Sequence, residues 1–303
     1  MRYLSPKADL TFKKVFGEHP DLVISFLNAM LPFNTPDEEI AWVEYLNPEL
    51  VPHTPLHKDS IVDVRCRDKV GRQFIVEMQM MWTSAYKQRV LFNASKAYVS
   101  QLEKGGDYEL LQPVYSLNLV NDTFSDSEGY YHDYEIVERA DTKEVIEGLR
   151  FIFIELPKFS PKTYNDKRMQ VLWLRYLTEI DEKTREVPEE LLESPEISKA
   201  VTQLEESAFT EAQLLGYDKF WDIVSTMKMQ ISSSQREARE KGLAEGRREG
   251  LAEGLAEGRA EGRAEGRREV RIEMALNLKR CNVPMDIIVK TTGFTEKEIE
   301  ELE

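Results

Sequence analysis

The stretch that decides the fold is Asp63-Val-Arg-Cys-Arg-Asp-Lys-Val-Gly71-Arg-Gln-Phe-Ile-Val-Glu77, followed by Met78-Gln79. Two runs rich in β-branched and apolar residues flank Lys69-Val70-Gly71, which is typical of a β-hairpin with a three-residue loop. We expect Gly71 to take the left-handed position of that loop, because glycine adopts it without steric cost. A loop over residues 69–71 pairs residues whose numbers add up to 140.

This register places two acidic side chains opposite each other. Asp63 faces Glu77, and Ile61 faces Gln79. Because side chains alternate across a strand, Asp63, Glu77 and Gln79 share one face. The same face carries three apolar residues, so we expect it to be half-buried: Ile61, Ile75 and Met81.

Two interpretations of the carboxylate pair stay open at this point. Like charges directly opposite each other destabilise a sheet, and a divalent cation between them would remove that cost. Mg²⁺ is commonly held by one or two carboxylates, with waters and substrate phosphates completing its shell. The alternative is a solvated sheet face, where carboxylates are ordinary.

Helices are predicted on both sides of the hairpin. The apolar spacing over residues 8–31 indicates two helices, broken near Gly17 and Pro20. Residues 84–103 form another, which carries two stripes. We expect the apolar stripe to face inward, Leu91, Ala94, Ser95, Tyr98 and Leu102, whereas the second stripe is mixed, Tyr86, Arg89, Asn93 and Lys96.

Asp63, followed by Glu77-Met78-Gln79 on the next strand, resembles the active-site pattern of PD-(D/E)XK nucleases. The third residue of that pattern is usually Lys. Gln occurs there in the Rpn family, the recombination-promoting nucleases also called PD-(D/E)XK nuclease family transposases. The opening segment is similar to that family too, since its D-x-x-F-K-x-x-F-G signature maps onto Asp9, Phe12, Lys13, Phe16 and Gly17. The resemblance covers residues 3–160 well and the rest loosely.

The resemblance implies a metal-dependent endodeoxyribonuclease, a hydrolase that cuts phosphodiester bonds of DNA with Mg²⁺ or Mn²⁺. Asp63 and Glu77 would bind the metal together with the backbone carbonyl of Met78. Gln79 would orient water or phosphate. Asp9 is either an accessory carboxylate or a helix cap. Four basic residues are candidates for holding the nucleic acid, and for most of them an ordinary exposed polar face is the alternative: Lys13, Lys58, Arg89 and Lys96.

Composition is compatible with this function although the chain is acidic. The net charge of the 303 residues is −15, but it is 0 over residues 1–105, −13 over 106–235 and −2 over 236–303. The hairpin therefore lies outside the acidic part, and whole-chain charge says little about what a local patch binds. The two cysteines, Cys66 and Cys281, are too far apart for metal-ligand spacing, which suits a reducing cytoplasm. No signal peptide or membrane-spanning run is found, so we expect a cytoplasmic protein without a membrane partner.

Glycine recurs at every fourth position from Gly242 to Gly266, with Glu three residues after each. Each glycine costs a helix ~1 kcal/mol relative to Ala. Two alternatives follow: a helix whose glycine column packs closely against a partner, giving a homodimer, or a spacer that is only partly helical. We favour the spacer. The final residues predict short helices, with a capping box at Thr295-Glu-Lys-Glu298 and an acidic last helix that is a poor DNA reader.

We therefore predict an α/β fold, a PD-(D/E)XK restriction-endonuclease-like mixed sheet flanked by helices with a helical C-terminal extension. Further strands are expected at 114–120, 134–138 and 151–156. The predicted boundaries are 1–160 for the nuclease-like core, 161–235 for an acidic helical extension, 236–269 for the linker and 270–303 for a small helical tail. The rival interpretation is a catalytically weak or silent nuclease-fold module that binds nucleic acid or protein, which Gln79 would allow.

Overall fold

A computed structural model describes residues 2–33, 35–50, 60–103, 105–160 and 168–302. The chain divides into two compact units, residues 1–228 and 229–303. Each unit is described by itself below.

The first unit is built on a six-stranded mixed sheet. Its central strands β5 (Gln73–Gln79), β6 (Val114–Val120) and β8 (Leu149–Glu155) run parallel. The other three pair antiparallel at the two sides: β1 (Glu44–Tyr45), β4 (Val64–Arg67) and β7 (Tyr131–Tyr134). The strand order is β1-β4-β5-β6-β8-β7. The central strands consist largely of apolar residues, as expected of strands whose two faces are both covered by helices.

Helices pack on both faces of the sheet. The larger core joins the sheet to α1 (Asp9–Glu18), α2 (Pro20–Met30), α4 (Arg168–Glu179) and α6 (Pro195–Thr202). Helix α3 (Tyr86–Val99) covers the opposite face, where Ala94 and Ala97 contact Ile75 and Val114. The short helix α5 (Glu189–Leu192) lies next to α4 and α6. The fold is thus the predicted α/β architecture.

The hairpin has the predicted register. Val64 pairs with Val76 and Arg67 with Gln73, and the amide of Asp68 donates to the carbonyl of Arg72 at 3.0 Å. The loop over residues 69–71 is held by the Asp68 carboxylate, which accepts from the amides of Val70 and Arg72. Gly71 has φ +95°, the left-handed conformation expected of it.

The strand preceding the hairpin differs from the prediction. Ile61 does not face Gln79; it lies in β3 (Ser60–Ile61), which pairs with β2 (Glu49–Leu50) in a separate two-stranded sheet. The amide of Val62 donates to the carbonyl of Pro48, so the chain leaves β5 immediately before Asp63. Ile61 is consequently 68 % exposed, and the prediction of its burial was wrong.

The buried face of α3 takes Tyr86 and Asn93 from the mixed stripe and Ala94 from the apolar one, so it is not the face predicted. Tyr86 and Asn93 are buried, whereas Leu91 is half exposed. The physical reason lies in the sheet, since the covered face carries Glu77 and Asn118, and buried polar groups need hydrogen-bond partners. Asn93 and Tyr86 supply them.

The glycine repeat lies in α7 (Glu211–Arg280), which is one continuous helix. In the second unit, the end of α7 packs with α8 (Met285–Thr292) and α9 (Glu296–Glu300) around Ala275, Ile288 and Ile299. The predicted capping box at Thr295 is present. Cys281 is exposed in this unit, whereas Cys66 is buried in the first unit's sheet.

Replacing the seven glycines from Gly242 to Gly266 with Ala should raise the thermal stability of α7. The change removes ~7 kcal/mol of intrinsic helix penalty, taking ~1 per residue. Within the described structure, a Cβ at any of the seven meets no heavy atom within 4 Å apart from its chain neighbours and the backbone of its own helix. Circular dichroism melts would measure the gain. Gly293→Ala is the control and should destabilise the tail, because Gly293 has φ +74°.

Sedimentation of the same variant separates the two alternatives for the repeat. A spacer keeps its oligomeric state when the glycines are replaced. A dimeric parent that becomes monomeric would show that the glycine column packs against a second copy.

Candidate functional site

Asp63 and Glu77 lie close together where β4 begins against β5. The β4–β5 register, extended by one residue, pairs Asp63 with Glu77. Along β5, residues whose backbone hydrogen-bonds towards β6 alternate with residues whose backbone hydrogen-bonds towards β4. Gln73 and Gln79 are of the first kind, since their backbone groups bond to the residues that flank β6. A residue opposite Glu77 is therefore at a non-hydrogen-bonded position, where opposite side chains come closest, and the Asp63 charge does raise the pKa of Glu77.

The Asp63 side chain accepts the hydrogen bond of the Met78 amide, because the chain before Asp63 has turned away from β5 and supplies no backbone acceptor there. Its Oδ2 accepts from the amide of Met78 at 2.8 Å. In a strand the N–H and C=O groups of one residue point to the same edge. The carbonyl of Met78 therefore faces the edge at which Asp63 lies, opposite to the carbonyl of Gln79, which accepts from Asn121 at 2.8 Å.

Both carboxyl groups have raised pKa values. Burial raises the pKa of Asp63, and the nearby charge of Asp9 adds to this, while the Met78 amide, Lys13 and Arg89 oppose it. Burial likewise raises the pKa of Glu77, with a further contribution from the Asp63 charge, while Asn93 and Arg89 oppose it. The pair is thus a desolvated, mutually repelling concentration of negative charge.

Glu77 is held by α3. Its Oε1 accepts from Nδ2 of Asn93 at 3.0 Å, and Oδ1 of Asn93 accepts from the hydroxyl of Ser60. Its Oε2 lies 3.5 Å from Nη2 of Arg89. Glu77 is 5 % exposed and Asn93 is 1 % exposed, so the hydrogen bond between Glu77 and Asn93 is shielded from solvent.

Gln79 and Arg89 form a second contact beside the pair. Nε2 of Gln79 donates to the carbonyl of Met81 at 2.6 Å, which leaves Oε1 to accept from Nη2 of Arg89 at 2.5 Å. The guanidinium also lies over the ring of Tyr86, 4.8 Å from its centroid. The Arg89 side chain is half exposed, so it is both held in place and open to a ligand.

The remaining predicted residues differ in position. Asp9 and Lys13 form a salt bridge of 2.6 Å on α1 and are close enough to Asp63 to affect its pKa. Asp9 does not cap α1, whose N-cap is Ala8. Lys96 donates to the carbonyl of Leu50 at 2.9 Å and fastens β2 to α3. Lys58 lies outside the described residues.

The residues present fit a divalent cation. Two carboxylates lie close together where β4 begins, the Met78 carbonyl faces the same edge of β5, and the carboxylates lack enough positive charge nearby to restore ordinary pKa values. Mg²⁺ is held by as few as one or two carboxylates. Within the described ranges, no cluster of three or more His, Cys, Asp or Glu side chains could hold a metal.

Comparison with known families agrees with this geometry. The family model described as PD-(D/E)XK nuclease family transposase matches residues 6–234. The chain belongs to this family. Neither the search of curated proteins nor the search of solved structures found a match.

Family membership extends beyond the sheet. The match includes α1, the hairpin, α3 and the helices up to residue 234, and it ends before the glycine repeat. The PD-(D/E)XK family is one of nucleases, so this part of the chain is a nuclease-family domain. None of the helices in its described residues, or in the rest of the described chain, has the length and apolar character needed to cross a lipid bilayer.

Sequence reasoning assigned no role to Asn93 and Ser60, although both contact the site. Asn93 was visible only as one member of the mixed stripe on α3. A polar residue four positions after Arg89, on a helix following the Glu77 strand, was the available signal. Ser60 carried no signal, because its contact depends on where β3 leaves the hairpin.

The pKa of Asp63 predicts a pH-dependent stability difference between wild type and Asp63→Asn in EDTA. A raised folded-state pKa means that the folded protein binds the proton more tightly than the unfolded chain does. The ionised carboxylate therefore costs stability once the pH exceeds the unfolded pKa, and the whole cost is present above the folded pKa. Asn keeps an acceptor for the Met78 amide. Asp63→Asn should match wild type at acid pH and be more stable at pH 8, because the cost of burying an ionised carboxylate is then absent.

Guanidinium unfolding at a series of pH values measures this difference. Glu44→Gln serves as the control, because Glu44 is an exposed partner of Arg67 on β1. A wild type that stays more stable than Asp63→Asn at pH 8 would contradict the assigned cause.

Proposed function

We propose that this protein is a DNA endonuclease that depends on Mg²⁺ or Mn²⁺. The observation that carries the proposal is the desolvated pair Asp63 and Glu77 at the start of β4, in a domain of a nuclease family. A pair of buried like charges is unfavourable on its own and favourable beside a cation, so its presence is accounted for by metal binding.

Asp63, Glu77 and the carbonyl of Met78 would hold the cation. A divalent cation there supplies acidity to a nearby water and positive charge to the phosphate being cut. The Met78 amide fixes one oxygen of Asp63, so that carboxylate is already oriented before metal arrives. Both carboxyl groups must be ionised to bind, and their raised pKa values make binding weaken as the pH falls.

Arg89 is the residue we propose in place of the lysine that is usual after the second carboxylate. Gln79 carries no charge and cannot accept a proton to a useful extent, but it binds the guanidinium through Oε1. Arginine stays protonated at all relevant pH values and binds phosphate through a planar fork of donors. Its role is therefore charge and orientation at the phosphate, not proton transfer.

The DNA strand would approach over α1 and α3, whose exposed basic residues border the carboxylates. The ammonium of Lys13 lies near enough to Asp63 to lower its pKa, although its salt bridge with Asp9 partly neutralises this charge. Lys96 is the weakest of the proposed contacts, since its ammonium is already bound to Leu50. Phosphate contacts of this kind make affinity fall with salt.

A second candidate function is a nuclease fold that binds DNA without cutting it. The contact of Arg89 with both Glu77 and Gln79 favours it, because this cation partly compensates the carboxylates without metal. Retention of DNA by the protein in the presence of Mg²⁺, without nicking, would support this candidate over the first.

Asp63→Ala and Glu77→Ala should each reduce cleavage at least about 100-fold, the scale on which loss of a key charge-stabilising group acts. The physical reason is loss of cation binding rather than loss of fold. Nicking of supercoiled plasmid with Mg²⁺, and its absence with EDTA, measures the activity. Mg²⁺ should also raise the Tm of wild type and leave that of either variant unchanged.

Glu44→Gln is again the matched control and should cut like wild type. An Asp63→Ala or Glu77→Ala protein that nicks at the wild-type rate would remove both residues from the site.

Arg89→Ala should also reduce cleavage, and Gln79→Lys should restore part of it in the double variant. A lysine in place of Gln79 would return a positive charge beside Glu77 once the guanidinium is gone. In the wild-type background, Gln79→Lys should leave cleavage intact or raise it. Arg67→Ala removes an exposed arginine of β4 away from the carboxylates and is the control. A double variant no more active than Arg89→Ala alone would mean that the planar guanidinium, rather than charge alone, is required.

A further inference from the structure

Glu77 has two carboxylate oxygens with different partners. Oε1 accepts from Asn93 at 3.0 Å, and Asn93 is 1 % exposed. Oε2 is approached at 3.5 Å by an arginine whose side chain is 49 % exposed. One contact is therefore sealed inside the protein, and the other can exchange with a ligand from solvent.

We infer that Asn93 is the positioning residue of this site: it holds Oε1 of Glu77 so that Oε2 is the oxygen available to the cation. This inference rests on the proposed function, because it assigns a cation to Glu77. Asn93 itself contacts neither metal nor DNA.

The orientation of the Asn93 amide follows from its neighbours. An ionised carboxylate only accepts hydrogen bonds, so the NH₂ group of Asn93 must face Glu77. Its oxygen then faces Ser60, whose hydroxyl donates to it. Ser60 thus fixes the amide against a flip that would turn its oxygen towards Glu77.

The hydrogen-bonded chain Ser60–Asn93–Glu77 connects three different elements, β3, α3 and β5. Ser60 stands three residues before Asp63, so the same contact holds the segment that carries the other carboxylate. Groups that orient metal ligands in this way typically contribute a factor of about 10–100 in metal affinity.

The test is Mg²⁺ and Mn²⁺ binding by calorimetry, without DNA, on the full chain. Asn93→Asp keeps the shape of the side chain and replaces the donor with an acceptor, so it should weaken metal binding about 10- to 100-fold. Ser60→Ala should weaken binding in the same direction, and Ser60→Thr, which keeps a hydroxyl, should bind as wild type does. Cleavage by Asn93→Asp should recover as the metal concentration is raised.

Asn28→Asp is the matched control. Asn28 is a half-buried asparagine whose amide bonds to both backbone groups of Ile40, away from the carboxylates. It should lose stability without any change in metal affinity. A purely structural Asn93 would behave in the same way.

The outcomes distinguish this inference from the proposed function. Wild type that binds metal, together with Asn93→Asp and Ser60→Ala proteins that bind it equally well, overturns the role of Asn93 and leaves the nuclease proposal standing. Wild type that binds no metal overturns both. Because Asn93 is buried, Ser60→Ala and Ser60→Thr keep the test decisive should Asn93→Asp not fold.

Discussion

The register of β4 against β5 is the constraint on which the candidate site depends. Side chains alternate with a period of two, so a shift by one residue would send Asp63 to the face packed against α1 and α2. The three-residue loop prevents this shift, because Asp68 binds two loop amides and Gly71 adopts a conformation that other residues take at a cost. Gly71 and Asp68 therefore determine the placement of a carboxylate that neither of them touches.

Burial of two like charges is the second physical theme. Such a pair opposes folding, and the protein offsets it only in part, with the Asn93 amide, the charges of Arg89 and Lys13 and the Met78 N–H. The polar face that results cannot be covered by an apolar helix. Helix α3 accordingly turns Tyr86 and Asn93 inward and leaves Leu91 in solvent. The buried polar groups of the sheet thus find their hydrogen-bond partners on the helix that covers them.

The parts of this fold that depend on local chemistry could be read from the sequence. The hairpin, its loop, the break between α1 and α2 and the capping box at Thr295 each involve residues close together in the chain. The errors arose where distant residues compete. Ile61 pairs with Glu49, and the amide of the next residue, Val62, donates a hydrogen bond to the carbonyl of Pro48. The ammonium of Lys96 donates to the carbonyl of Leu50. The spacing of residues within β4 or α3 cannot predict these contacts with other segments, nor the contact between Ser60 and Asn93.

The two cysteines have a practical consequence. Burial raises the pKa of the Cys66 thiol to about 12, so this sulfur is shielded and almost never in the reactive thiolate form. Cys281 is exposed in the second unit. A maleimide dye should therefore modify the unaltered chain at one position, in the tail. A fluorescent label at this one cysteine would report on the tail without any mutation and without modifying the carboxylates.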